Sequence, residues 1–259
     1  MGIYLLLGFL GAVCGFFSGL LGIGGGIIMA PLLLYIPPIL GFQPFSMQTV
    51  SGLTIVQGLV ACLSGVIAHK RFNVVSMRLA AWMGTVIFIT ALVGGVLSKF
   101  TSNNILLFIF GILALLAAIL LFLPGQEQEK HITVSELSFS YWRAMVSAGG
   151  VGIFGGMVGQ GGSFILIPLM TGIVKIPTRI ALGSNLAIVL LSTTAGFIGK
   201  TATGQIEWLL TLPIVLTVVP AAQLGSVMSH MVAVPKLRKI LGVLIAAASF
   251  RILIAAVFN

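Results

Sequence analysis

The chain has 259 residues, of which 59% are apolar and only 7% are charged, and its mean hydropathy is +1.22. Such a composition cannot supply a water-soluble surface, so the solvent of this protein is lipid. The net charge of +9 and the pI near 10.2 do not indicate nucleic-acid binding, because Lys and Arg stand between apolar stretches, as they do at the flanks of membrane spans.

Six stretches of the sequence are plain candidates for membrane spans. The hydrocarbon core of a bilayer is roughly 30 Å thick and requires about 20 apolar residues in a helix. The stretches that meet this requirement are 47–68, 77–97, 104–123, 180–199, 208–228 and 240–258. We therefore predict an all-α, polytopic membrane protein.

Two longer apolar stretches, 2–36 and 142–174, are each interrupted by glycine. The first contains the sequence GIGGG and then Pro31, and the second contains GQGGS and then Pro168. Glycine and proline interrupt regular helices. We predict that each stretch forms a helix, a glycine break and a second short helix, folded as a hairpin.

A polar linker, 124–141, divides the chain into halves that repeat each other. When residues 18–33 are placed over residues 155–170, the identical positions include four glycines and a proline. The identical pairs are Gly19/Gly156, Gly22/Gly159, Gly24/Gly161, Gly25/Gly162, Ile28/Ile165, Pro31/Pro168 and Leu32/Leu169. The predicted units are therefore 1–123 and 142–259, and each consists of a hairpin and three spans.

The distribution of basic residues indicates how the two units are oriented. If each glycine-broken stretch crossed the membrane once, the basic residues would show no bias between the two sides. If each stretch returns as a hairpin, only Lys99 and Lys200 lie outside. The inside set is then Lys70, Arg71, Arg78, Lys130, Arg143, Lys175, Arg179, Lys236, Arg238 and Lys239. This asymmetry predicts inverted repeats with both termini outside.

The glycine breaks are the predicted substrate site, because inverted-repeat transporters bind substrate near the midplane with broken helices. The first amides of each short helix have no carbonyl partner within the helix, and the helix dipole is positive at that end. Such helix starts bind anions. The candidate substrate-binding residues are Gly24, Gly25, Gly26, Gln160, Gly161, Gly162, Ser163, Gln48, Thr49, Ser51, Ser184, Asn185 and Arg251.

Several of these residues also have a structural interpretation. The small glycines permit close packing of membrane helices. The hydroxyls of Ser51 and Ser184 can hydrogen-bond their own helices. Arg251 either lines the pathway or extends its charge to the membrane surface. Lys200 lies near the end of a span, and the sequence predicts an interfacial anchor.

The glycine motifs resemble those of the sulfite exporter TauE/SafE family. The resemblance is carried by GIGGG and PL within 22–32, by GQGG and PL within 159–169, by LGSNL at 182–186 and by LGS at 224–226. It extends over nearly the whole chain. It implies a membrane protein that exports or imports sulfite, sulfonates or other small organic anions.

The leading hypothesis is a secondary transporter of a sulfur-containing anion, in a bacterial or archaeal plasma membrane, that works by alternating access. An anion channel or a transporter of a small carboxylate are the alternatives. The sequence has no His cluster, Cys pair or carboxylate dyad typical of a membrane enzyme, and we predict no cofactor or metal. The expected partners are a small anion and the lipid bilayer. A coupling proton or sodium ion and a homo-oligomer are left open.

Overall fold

We analysed a computed structural model that describes residues 2–21, 25–68, 76–122, 139–228 and 234–258. These residues form ten α-helices and no β-strand, which confirms the all-α prediction. The helices are α1 Gly2–Leu21, α2 Gly26–Ile39, α3 Met47–Ala68, α4 Met77–Phe100, α5 Asn103–Phe122, α6 Tyr141–Val158, α7 Ser163–Gly172, α8 Thr178–Ala202, α9 Trp208–Met228 and α10 Val234–Phe258.

Five of the six helices that are long and apolar enough to cross a membrane agree with the predicted spans, and one differs. The sixth is the first helix of a broken stretch, Gly2–Leu20, whereas the apolar part of α10 is the shorter segment Gly242–Ala256. Large apolar side chains face outward, such as Leu5, 71% exposed, and Leu209, 75% exposed. Lipid is the environment in which such a surface is stable.

Each predicted glycine break lies between two helices, and the short helix that follows begins beside the helix that precedes the break. A Cβ at Gly25 would lie 3.0 Å from the carbonyl oxygen of Cys14, which is in the second half of α1. A Cβ at Gly162 would meet the side chain of Val151, in the middle of α6. The beginning of each short helix therefore lies beside the helix that precedes it, as in a hairpin.

The two halves pack through equivalent pairs of helices. Helix α1 packs on α9, where Gly15 approaches the backbone of Val218 and Gly19 approaches that of Ala222. Helix α6 packs on α4 in the same way, where Gly156 approaches the backbone of Ala91. Glycines spaced by four residues let membrane helices approach closely. The first helix of each half thus packs on a helix of the other half, α1 on α9 and α6 on α4.

The equivalent helices α3 and α8 run in opposite directions where they cross. Ser51, near the start of α3, hydrogen-bonds Lys200, near the end of α8. Further along α3, Ile55 lies against Gly196, which is earlier in α8, since a Cβ at Gly196 would lie 3.0 Å from Cδ1 of Ile55. Residue numbers rise along one helix as they fall along the other. Both cysteines of the chain, at 14 and 62, are free and buried.

Candidate functional site

The first tip, which we define as residues 25–26, is the start of α2. Gly25 is the N-cap residue and has a left-handed backbone with φ 68°, and no side chain caps the helix. The first bond within the helix joins the amide of Ile28 to the carbonyl oxygen of Gly25. The amides of Gly26 and Ile27 precede that bond, so they belong to the donors that a helix start leaves available.

The second tip, defined as residues 159–163, is built in the same way at the start of α7. Gly162 is the N-cap residue with φ 71°, again without a side-chain cap. The amide of Ile165 makes the first bond to the carbonyl oxygen of Gly162, so the amides of Ser163 and Phe164 precede it. Gly159 also has a positive φ and lies against the backbone of Ser51, where a Cβ would overlap the carbonyl group. Only glycine fits at that position.

The two tips touch each other. A Cβ at Gly26 would lie 3.4 Å from Cα and 3.5 Å from Cγ of Gln160. Gly26 begins α2, and Gln160 belongs to the break between α6 and α7. The start of α2 therefore meets the break that precedes α7, although 134 positions separate Gly26 from Gln160 in the printed numbering.

Two buried glutamines at this junction leave their amide groups unpaired. Gln57 is fully buried in α3, and Gln160 is 4% exposed. Neither Nε2 nor Oε1 of either side chain has a hydrogen-bond partner among the described residues. Nε2 of Gln57 points at the first tip, since a Cβ at Gly25 would lie 2.7 Å from it. A buried polar atom without a partner costs about 1–3 kcal/mol, so each of these groups requires an explanation, and a ligand that they bind is one.

The polar residues predicted on α3 differ in their surroundings. Gln48 is half-buried, and its Nε2 donates to the carbonyl oxygen of Thr101 at 3.0 Å. Thr49 bonds to Ser46 through both its amide and its hydroxyl. Both side chains are therefore occupied, that of Gln48 by the end of α4 and that of Thr49 by the start of its own helix. The hydroxyl of Ser51 donates to the carbonyl oxygen of Gln48, as its structural interpretation predicts, whereas its backbone carbonyl lies against Gly159 of the second tip.

The predicted residues on α8 are both buried. The hydroxyl of Ser184 accepts a hydrogen bond from the amide of Ser76, which is the N-cap residue of α4. Oδ1 of Asn185 has no partner among the described residues, and neither has the hydroxyl of Ser192 two turns later. Asn185 therefore has unused hydrogen-bonding capacity, whereas Ser184 has a structural bond.

Three further predicted residues lie outside this cluster or outside the described atoms. Arg251 is exposed on α10, and its guanidinium lies over the ring of Tyr35, 4.4 Å from the centroid. Gly24 lies outside the described residues. For Ser163 the structure describes the backbone but not the side chain, so the predicted hydroxyl contact has no geometry.

The prediction that Lys200 is an interfacial anchor was wrong, because its side chain is fully buried. Nζ donates to the hydroxyl of Ser98 at 2.7 Å and to that of Ser51 at 2.9 Å. It also donates to the carbonyl oxygen of Met157 at 3.1 Å, and Oε1 of Gln205 lies 3.5 Å away. The ammonium group thus binds side chains of the first half and the carboxyl end of α6. The sequence did not reveal this burial, because the predicted span ends at residue 199, whereas α8 continues to Ala202 and keeps Lys200 inside the bundle.

The described residues contain no group of three or more His, Cys, Asp or Glu side chains that could hold a metal ion. The chain has no aspartate, and three of its four glutamates lie in the polar linker. The fourth, Glu207, is exposed at the start of α9. Among the described residues the junction therefore offers hydrogen-bond donors, amide groups and a nearby cation, which suit a small anion.

Comparison with known proteins agrees with these features. Residues 7–252 match the family described as Sulfite exporter TauE/SafE. A probable membrane transporter protein of Bacillus subtilis, YunE, is 26% identical over 86% of this chain and 86% of its own length. A probable membrane transporter protein of Xylella fastidiosa is 24% identical over 94% of this chain and 92% of its own length. An archaeal one, from Methanocaldococcus jannaschii, is 23% identical over 74% of this chain and 70% of its own length.

No solved structure matches the chain. The family match covers nearly all of the chain, the relatives named here are described as transporters rather than enzymes, and six helices can cross a membrane. The chain is therefore a multi-pass integral membrane protein and a member of the sulfite exporter TauE/SafE family of membrane transporters.

Proposed function

We propose that this protein is a secondary transporter that moves sulfite, a sulfonate or a related organosulfur anion by alternating access. The observation that carries the proposal is the contact between the two tips, where Gly26 meets Gln160. The amide groups of Gln160 and of Gln57, which faces the first tip, are buried and unpaired among the described residues. If these residues served only to pack the interior, apolar side chains would fill the space at lower cost, because buried polar groups need partners. A polar site of this kind is instead suited to a ligand that binds and is released.

The binding chemistry follows from the two helix starts. Each start is equivalent to roughly half a positive charge, so the pair offsets about one negative charge. The early amides of α2 and α7 would donate to the oxygens of a compact oxyanion, and Nε2 of Gln57 and Gln160 would add two donors. A tetrahedral or pyramidal sulfur oxyanion offers several oxygens in a small volume, which matches donors that converge from two directions.

The movement is proposed to involve the two halves, 1–123 and 142–259, acting as inverted repeats joined by the linker 124–141. The opposite directions of α3 and α8 support this arrangement, because equivalent helices of inverted repeats run antiparallel. The reciprocal packing of α1 on α9 and of α6 on α4 supports it as well. A site between two such halves opens to one side or the other as they rock.

The name of the family supports sulfite as the first substrate to test. The purified protein in proteoliposomes should bind and exchange sulfite, and the panel should also contain sulfate, thiosulfate, methanesulfonate and acetate. Exchange of labelled substrate without a sustained ionic current would identify a transporter. A current that persists without exchange would identify the channel alternative, and binding of acetate alone would identify a carboxylate transporter.

Substitutions at the tips test the location of the site. We expect Gly25→Val and Gly162→Val to abolish exchange, because each adds a side chain at a positive φ and into a close contact. Gly172→Val is the matched control, since a Cβ at Gly172 meets nothing within 4 Å. If the tip variants fold normally and transport at the wild-type rate, the tips are not the site. If they fail to fold, Gln160→Leu decides the question, because it leaves the backbone unchanged.

The inverted arrangement has its own test. Both termini should lie outside the cytoplasm, as the distribution of Lys and Arg indicates. Reporter fusions at residue 1 and residue 259, read out by accessibility on each side of the membrane, measure this directly. Two termini on the cytoplasmic side would reverse the orientation, and termini on opposite sides would contradict the hairpin topology.

A further inference from the structure

The side chain of Lys200 is buried, and the described part of the chain provides no anion to pair with its ammonium form. The side chain is fully buried, and its hydrogen-bond acceptors are two hydroxyls, an amide oxygen and a backbone carbonyl. None of these groups carries a charge. Among the described residues no carboxylate pairs with it, and Glu207, the nearest in sequence, is exposed. Burying a charge that lacks a counter-charge is expensive.

The same ammonium lies directly behind the second tip. Its acceptor Met157 is two residues before Gly159, and its acceptor Ser51 has the carbonyl group against which Gly159 packs. Lys200 therefore hydrogen-bonds two residues that adjoin the tip: Met157, which precedes it in the chain, and Ser51, whose backbone packs against it. No such cation is described beside the first tip, where the nearest polar side chain is Gln57.

We propose that Lys200 supplies the charge that selects an anionic substrate at the second tip, acting as a positioning residue through Ser51 and Met157 rather than as a direct ligand. The inference rests on the function proposed above and adds the residue that sets its charge preference. All three protons of Nζ are used by Ser51, Ser98 and Met157, so the ammonium is fixed in place. Its field nevertheless reaches the tip, because interactions between charges are strong in a poorly solvated interior.

A purely structural role makes a different prediction, because Lys200 also links the halves. A structural link would be weakened by loss of any of its bonds, whatever the charge of the ligand. A charge-selecting role depends on the ammonium and on its bonds to Ser51 and Met157, so it should survive loss of the bond to Ser98. The two roles are separated by comparing Lys200→Met, which removes the charge, with Lys200→Arg, which keeps it, and with Ser98→Ala, which removes one acceptor and leaves the charge.

The experiment measures binding of sulfite, methanesulfonate and the neutral analogue methanesulfonamide to the full-length protein in detergent, together with thermal unfolding of each variant. We expect Lys200→Met to bind both anions at least roughly tenfold more weakly, which corresponds to about 1.4 kcal/mol. Binding of the neutral analogue should hardly change, so the preference for methanesulfonate over methanesulfonamide should shrink. Lys200→Arg and Ser98→Ala should keep most of that preference.

Several outcomes would overturn the inference. One is a folded Lys200→Met protein with the wild-type preference for anions, and another is a Ser98→Ala protein that loses the preference to the same extent. If Lys200→Met does not fold, Lys200→Gln, which removes the charge and keeps an amide donor, is measured in its place, and a wild-type preference for anions in that variant would overturn the inference. Wild-type protein that binds no anion in the panel would contradict the proposed function itself.

Discussion

The two tips share a backbone design but differ in the side chains around them. Each has a left-handed glycine before a short helix, no side-chain cap and a proline in the helix that follows. The first tip faces the unpaired amide of Gln57, whereas the second carries Gln160 and lies in front of Lys200. The repeat predicted from the sequence accounts for the common backbone. The surroundings differ, because Lys200 is described behind the second tip and no Lys or Arg is described beside the first.

The largest effect is expected where the second tip touches backbone rather than side chains. Gly159→Ala would place a methyl group on the carbonyl of Ser51 at a positive φ, so the tip or α3 must move. We expect a loss of more than about 3 kcal/mol in the free energy of unfolding, because overpacking and backbone strain add.

The matched control for this substitution is Gly204→Ala. Gly204 also has a positive φ, but a Cβ there meets nothing within 4 Å. Only the left-handed conformation is then penalised, by about 1 kcal/mol. Thermal unfolding in detergent measures both variants. Equal losses would show that the contact between Gly159 and Ser51 carries no weight.

The next effect separates binding from stability at both tips. Gln57→Leu and Gln160→Leu remove amides that have no partner among the described residues, so the proteins should be as stable as the wild type or more stable. Sulfite binding should fall by about tenfold or more for each, since a hydrogen bond to a charged group contributes about 1.5–3 kcal/mol.

Gln205→Leu provides the contrast, because this glutamine is fully engaged. Nε2 of Gln205 donates to the carbonyl oxygen of Gly95 at 2.9 Å, and its Oε1 accepts from the hydroxyl of Ser98 at 2.8 Å. Its replacement should destabilise the protein by about 1–3 kcal/mol. If Gln57→Leu and Gln160→Leu destabilise the protein as much as Gln205→Leu does, their amides are structural.

The sequence predicts the tips better than it predicts their surroundings. The spans and the glycine breaks follow from local composition, and the repeat identifies both breaks together. Gln57 gives no such signal, because it is one of several polar residues spread along α3 and no motif distinguishes it from the others. The role of Lys200 depends on Ser51 and Ser98, which are 149 and 102 residues away in the chain. Contacts of that kind depend on how the helices pack and not on local pattern.

A smaller effect is expected for the position at which the two helix starts differ. Gly26 begins α2, and Ser163 begins α7. Ser163→Ala removes a hydroxyl from the second tip and leaves the backbone donors, so folding should hardly change. The ratio of the affinities for sulfite and methanesulfonate should change, because the hydroxyl adds a directed hydrogen bond on one side of the site. An unaltered ratio over the whole anion panel would assign selectivity to other groups.

The smallest effect concerns Arg251, for which the sequence left two interpretations open. The structure describes it on the exposed surface of α10, over the ring of Tyr35. A cation over an aromatic ring at an exposed site contributes about 0.5–1 kcal/mol. Arg251→Ala should therefore lower the free energy of unfolding by no more than that, and Tyr35→Leu should abolish any further effect of Arg251→Ala in the double variant.

Sulfite affinity should stay at the wild-type value in Arg251→Ala, because the guanidinium lies apart from the buried tips. A clear loss of affinity in Arg251→Ala, with stability preserved, would instead place Arg251 on the pathway. The charge that selects the substrate would then not come from Lys200 alone.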